Sequence, residues 1–333
     1  MIARPPTDTP AQQRVVDEVL AWGSERPLPP DGLPERLLAR MTAAVGSWLA
    51  VRDERPDLAG RPLLVTKTRL SRLVCDGLQQ DPESYVHAWA NVRGTLVHAA
   101  IEADVDGARG DAVEAVVDRA WHRLATDRPG DPSSIGAWLN ARDAAERATM
   151  LDESATLLAG FREVWPDLGP APLRVRTEQR LVVMLGGRAV RLQGVPDLIV
   201  ESPVDDGRAR RLIVDLKTGM PRGQRDRDEL RFYALLATLA GGAPPFRWAT
   251  LYVTEGRLEH EDLSEAVLTT AASRVADAVE QAARIARLER RPGADDQAGG
   301  DVVDGERLAG GAWCRGCRRR DACPEAVVVG ADG

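Results

Sequence analysis

The hydrophobic period of this chain first changes near residue 173, from helical to strand-like, and that change limits the architecture more than any other feature. Before it, apolar residues recur at the spacing of helix faces; Leu96, Val97, Ala100 and Ile101 form one such set. After it come LRVRTEQRLVVML (173–185) and AVRLQGVPDLIV (189–200), two strand-like segments joined through Gly186 and Gly187 as in a hairpin. RRLIVDL (210–216) is a third strand, and a helix at about 226–240 leads to a fourth, FRWATLYV (246–253). Strand, helix and strand in succession suit a right-handed parallel crossover. Further helices are expected near 11–22, 34–53, 67–76, 84–105, 110–126, 137–163 and 264–290. This order predicts an α/β fold in which a central mixed sheet is flanked by helices, with helical additions.

The expected organisation is a helical N-terminal extension at 1–60, a core at 61–293 with a helical insertion at about 103–170, and a linker with a cysteine-bearing segment at 294–333. At 44% hydrophobic and 29% charged residues the composition is that of a globular protein rather than a disordered one. No run approaches the ~18 apolar residues of a membrane span. The start, MIARPPTDTPAQQ, has no apolar core of a signal peptide, so a cytoplasmic location is expected. There, cysteines serve as ligands rather than as disulfides. The net charge of −7 argues against general affinity for polyanions, yet it leaves room for a local basic groove. Arginines cluster at Arg208, Arg210 and Arg211, at Arg222, Arg225 and Arg227, and at Arg315, Arg318, Arg319 and Arg320. Each cluster by itself reads as solvated surface.

Of 44 lysines and arginines, only Lys67 and Lys217 are lysines. A lysine kept in so arginine-rich a chain suggests chemistry that a guanidinium cannot do, because a compact ammonium can shift its pKa. Lys217 lies in IVDLKTG, two residues after Asp215, so the two side chains share a strand face. Eighteen residues earlier, GVPDLI carries Pro196 and Asp197. Two carboxylates beside an ammonium suit a magnesium site, since Mg²⁺ takes oxygen ligands and keeps several waters. In such a site the metal activates water while Lys217 orients or helps deprotonate it. Taken singly, Asp197 is equally a strand terminus, and Asp215 with Lys217 a surface ion pair. A third segment, GTLVHAAIE, puts Gly94, His98 and Glu102 on a helix, with His98 and Glu102 four apart on one face.

Together these segments resemble the RecB-like branch of the PD-(D/E)XK nuclease superfamily, with its restriction-endonuclease-like core. That branch has a Gly-xxx-His helix, then Gly-xx-Asp, (Asp/Glu)-x-Lys and a Gln-xxx-Tyr helix. Here the motifs are Gly94/His98, Gly194/Asp197, Asp215/Lys217 and, in DELRFYALL, Glu229/Tyr233, with Glu229 in place of glutamine. A carboxylate there would repel phosphate unless it were protonated or paired. The resemblance, over roughly 61–325, implies that His98, Asp197 and Asp215 bind Mg²⁺ or Mn²⁺. It also implies that Lys217 is catalytic and that Tyr233, with Glu229, positions the substrate.

Cys75 stands alone, far from Cys314, Cys317 and Cys323 in WCRGCRRRDAC. Zinc sites favour two close pairs, whereas four thiolates also suit a 4Fe–4S cluster; zinc and unliganded thiols are the alternatives. The split one-plus-three arrangement, with Pro324 after the triplet, resembles AddB-type nuclease domains and CRISPR-associated RecB-like exonucleases. A cluster there would clasp the C-terminal segment to the helix of Cys75.

The implied activity is hydrolysis of DNA, directed at single strands or free ends, in repair or recombination. The alternative within the enzyme class is a phage-defence or CRISPR-adaptation nuclease. From another class, the alternative is an inactive DNA-binding subunit of a helicase–nuclease complex, which would be expected to have lost one of Asp197, Asp215 and Lys217. With no GxxxxGK[ST] phosphate loop the chain is not expected to unwind duplex itself, and a separate helicase is one candidate partner beside DNA.

Overall fold

The computed structural model describes residues 4–70, 87–204 and 206–288. They fall into two compact units, the first made of Met1–Pro34, Pro82–Leu181 and Gly194–Leu268, the second of Glu35–Asp81, Val182–Gln193 and Thr269–Gly333. In the second unit β1 (Leu63–Val65), β4 (Val190–Gly194) and β3 (Leu181–Leu185) form a sheet in the order β1-β4-β3, with β1 parallel to β4. The β3–β4 hairpin turns through Gly186 and Gly187, whose φ values of 55° and 57° lie in the left-handed region that glycine adopts without cost. Trp48, on the helix α2 (Leu33–Glu54), is buried and donates its indole N–H to the Ala189 carbonyl at 3.2 Å.

The first unit holds a five-stranded sheet in the order β2-β5-β6-β7-β8. Its strands are β2 (Arg174–Thr177), β5 (Leu198–Glu201), β6 (Arg211–Lys217), β7 (Arg247–Tyr252) and β8 (Arg257–Asp262). β6 and β7 are parallel and joined by α8 (Gln224–Gly241), as the strand–helix–strand order requires; the other pairings are antiparallel. One sheet face, with Leu212, Val214 and Leu216, shares an apolar core with α4 (Trp89–Ala103), α5 (Val113–Ala125) and α7 (Ala144–Val164). α8 packs on β6 and β7, and Ile213 and Asp215 are buried as well. β6 is thus covered on both sides, including the side of Asp215 and Lys217, whose residue spacing alone does not reveal the cover.

Two strand-like segments of the sequence are each cut in two. The first becomes β2 and β3, the second β4 and β5, and the halves join different sheets. The second cut falls at Val195–Asp197, where Pro196 can donate no ladder hydrogen bond. The helix expected at 137–163 is likewise two, α6 (Ile135–Asn140) and α7. Asp143 restarts it: its carboxylate accepts from the amides of Ala145 and Glu146, and Glu146 bonds back to the Asp143 amide. Among the described residues no helix is long and apolar enough to cross a membrane.

Candidate active site

All the described site residues lie in the first unit, where β6 sets the frame. Asp215 is buried, and its Oδ2 lies 2.6 Å from Nζ of Lys217, which is only slightly exposed. Asp197, just ahead of β5, is pinned to the same strand: its Oδ2 accepts the Leu216 amide at 2.5 Å. Its Oδ1 faces Nδ1 of His98, on α4, at 3.1 Å. Gly94, one turn earlier on α4, leaves room for Thr218, just past Lys217: a Cβ there would stand 3.0 Å from its hydroxyl, a tight contact.

A fourth residue completes the cluster, and no sequence pattern marked it. Glu178 follows β2, and its amide donates to the Asp197 carbonyl at 3.0 Å. A ring nitrogen of His98 and carboxylate oxygens of Glu178 and Asp197 lie within 4.8 Å of one another. Asp215 stands outside this trio, but its charge reaches His98. Burial alone would lower the His98 pKa, yet Asp197, Asp215 and Glu178 outweigh it and hold the imidazole above its usual value. Surroundings that favour a proton on the ring also favour a cation among the same groups. One imidazole nitrogen with carboxylate oxygens suits Mn²⁺ or Mg²⁺ rather than a soft, thiolate-seeking ion. Glu102, on the same helix as His98, turns instead to Arg123 at 2.6 Å.

Beyond Lys217 runs a buried charge network. Glu229, on α8, accepts from Lys217 at 3.0 Å and from Arg222 at 3.1 Å. Arg222 also donates through Nε and its amide to Asp226, each at 2.8 Å, and the Tyr252 hydroxyl reaches Asp226 at 3.2 Å. The carboxylate at 229 is therefore paired with two cations. Arg222 is exposed, as its sequence cluster suggested, but Asp226 and Glu229 hold it. Tyr233 is buried against Gly194, where a Cβ would come within 2.5 Å of its ring. Small size at 194 and an aromatic at 233 are two halves of one close packing contact.

A family model described as the PD-(D/E)XK nuclease superfamily matches residues 68–324. The chain belongs to this superfamily. The matched span contains His98, Glu178, Asp197, Asp215 and Lys217, as well as all four cysteines. Nucleases of this superfamily use divalent metals, in keeping with the donor set found here. A solved structure titled "Crystal structure of SSO0001" is similar at 16% identity and a TM-score of 0.25, over 64% of this chain and 84% of that one. No curated protein matches the chain. Cys75, Cys314, Cys317 and Cys323, and the clasp they would form, lie outside the described residues.

Proposed function

We propose that the chain is a Mg²⁺- or Mn²⁺-dependent DNA nuclease, acting on single strands or free ends in repair or recombination. The observation that carries this reading is the meeting of His98, Glu178 and Asp197 beside the Asp215–Lys217 pair. In this reading the trio and Asp215 hold the metal. When bound, the metal would neutralise charge on the scissile phosphate and lower the pKa of the attacking water. Lys217, held by Asp215 and Glu229, points its ammonium at that water and orients it. The water oxygen bonds to phosphorus, the bond to the leaving sugar oxygen breaks, and that oxygen takes up a proton. Tyr233 is a positioning residue: packed on Gly194, it supports the segment that carries Asp197. Retention of Asp197, Asp215 and Lys217 supports catalysis over a binding role alone. The spacing of Cys75 with Cys314, Cys317 and Cys323 supports a 4Fe–4S cluster as a second cofactor.

The test is digestion of end-labelled single- and double-stranded DNA with and without Mg²⁺ or Mn²⁺. Wild type should cut only with metal, and Asp215→Asn and Lys217→Ala should both abolish cutting. Glu178→Gln should weaken Mn²⁺ binding in calorimetry about tenfold or more, on the scale of losses seen around metal centres. Cutting by Asp215→Asn at the wild-type rate would refute the assignment.

A further inference from the structure

Away from the metal cluster, the same sheet carries a second feature that the catalytic reading leaves unused. Arg174, Arg176, Arg208, Arg210 and Arg211 line a groove of about 420 Å³, and Glu201 is its one carboxylate. The register explains how these groups come together. Arg174 pairs with Glu201, and Glu201 with Arg211, across β2, β5 and β6. Cross-strand partners share a face, and so do residues two apart on a strand. Arg174, Arg176, Glu201 and Arg211 therefore stand on the face that bears Asp215 and Lys217. Between Arg211 and Asp215 that face of β6 is covered by α8, so the open path runs along the exposed edge strand β2, where Arg174 and Arg176 lead to Glu178 of the trio, about 13 Å for four residues at ~3.3 Å each.

Glu201 does not neutralise the groove. It lies 3.2 Å from Arg210 and 3.6 Å from Arg176, sharing one charge between two guanidiniums. Burial, aided by the like charges of Arg210 and Arg176, lowers the Arg211 pKa against the opposing pull of Glu201. Arg211 also donates to the Ala243 carbonyl beyond α8. Arg174 and Arg176 sit on the edge strand with exposed side chains. Arg208 is already held by Glu25 at 2.6 Å, so the surplus positive charge rests on the edge-strand arginines; in a chain of net charge −7 it is local, and its complement is a row of phosphates.

We propose that this arginine groove binds the phosphodiester backbone of the DNA strand whose scissile phosphate lies at the metal cluster. The span of ~13 Å is long enough for a short run of consecutive phosphates between the groove and the trio. The guanidiniums meet the backbone and not the bases, so the contact fixes register without reading sequence. The inference deepens the nuclease reading and rests on DNA being the substrate.

The test is fluorescence-anisotropy titration of full-length protein with a fluorescein-labelled oligo-dT, without added Mg²⁺ or Mn²⁺, over a range of salt. Arg174→Gln with Arg176→Gln should weaken binding about tenfold at low salt. The slope of log K against log salt should fall by about 1.4, at ~0.7 for each single-strand phosphate that an arginine no longer neutralises. Glu201→Gln should act in the opposite direction, tightening binding and steepening the slope. Arg119→Gln, which removes an exposed partner of Asp111 elsewhere, is the control and should change neither. If the double variant fails to fold, Arg174→Gln alone should give half the change in slope. Wild-type affinity and slope in a folded groove variant would overturn the groove and leave the nuclease reading standing. A wild-type protein that binds the oligonucleotide at no salt concentration would overturn both.

Discussion

Glu229 stands where the related nucleases carry glutamine, and two cations hold its carboxylate, Lys217 at 3.0 Å and Arg222 at 3.1 Å. With Arg222 so close, the acid at 229 is not a bare negative charge facing phosphate. Asp226 anchors Arg222 in turn. Burial would push the Asp226 carboxyl up, but the Arg222 amide and guanidinium, with Lys217, outweigh it and hold the acid below its ordinary value. A depressed folded pKa contributes stability that is present above the unfolded value of 3.8 and lost as pH falls through the lower folded value. Asp226→Asn should cost about 1–3 kcal/mol near neutral pH, the range for leaving a buried partner unsatisfied. The melting-temperature gap to wild type should narrow as pH drops below about 4. A gap that stays constant with pH would show that Asp226 contributes by shape alone. At this scale Asp215 and Lys217 were legible because the pleat fixes their two-residue spacing, while Asp197, just ahead of β5, was legible only through its motif. Glu178 was not: it lies in a turn, belongs to no periodic pattern, and meets His98 only after the chain folds.

Among the elements, β6 and α8 were legible because each carries a long apolar pattern with one period. β8 was not, since RLEHED reads as loop. Its charges suit an outer strand, where they discourage pairing with another chain, and they bond inward: Glu261 takes Arg231 at 2.6 Å and the Trp248 indole at 2.8 Å. The breaks within 173–185 and 189–200 were hidden for a different reason. Each interruption is short, 178–180 in the first and 195–197 in the second, and only the change of sheet partner shows that the halves part. α8 is held against the segment that leads into β5 by the fit of Tyr233 and Leu236 to Gly194, where a Cβ would lie 2.5 Å and 2.9 Å from them. Gly194→Ala should therefore destabilise by about 1–3 kcal/mol, the usual cost of overpacking, and should slow cleavage by moving the segment of Asp197. Thermal melting and a cleavage assay on one preparation check both. An unchanged melting temperature would show that α8 yields freely.

For the molecule as a whole, the superfamily match runs through all four cysteines although they stand far apart in sequence. If Cys75 joins Cys314, Cys317 and Cys323 on one cluster, the binding energy becomes folding energy, because the unfolded chain has no preformed site. Anaerobically purified protein should then be brown and contain iron and sulfide. Cys75→Ser should be colourless and lose its C-terminal segment first in limited proteolysis. Colourless wild-type protein carrying one zinc would replace the cluster but keep the clasp. Among the described residues four non-glycines carry a positive φ, and one of them belongs to the proposed metal site. Glu178 has a φ of +46°, a left-handed backbone that penalises its Cβ by about 1–2 kcal/mol. Glycine would relax that bond and delete a carboxylate from the metal cluster in the same step. If Glu178 holds the metal as proposed, thermal robustness and metal capture compete at position 178, and a screen that rewarded heat resistance alone would drift toward a sturdier protein with an impaired centre.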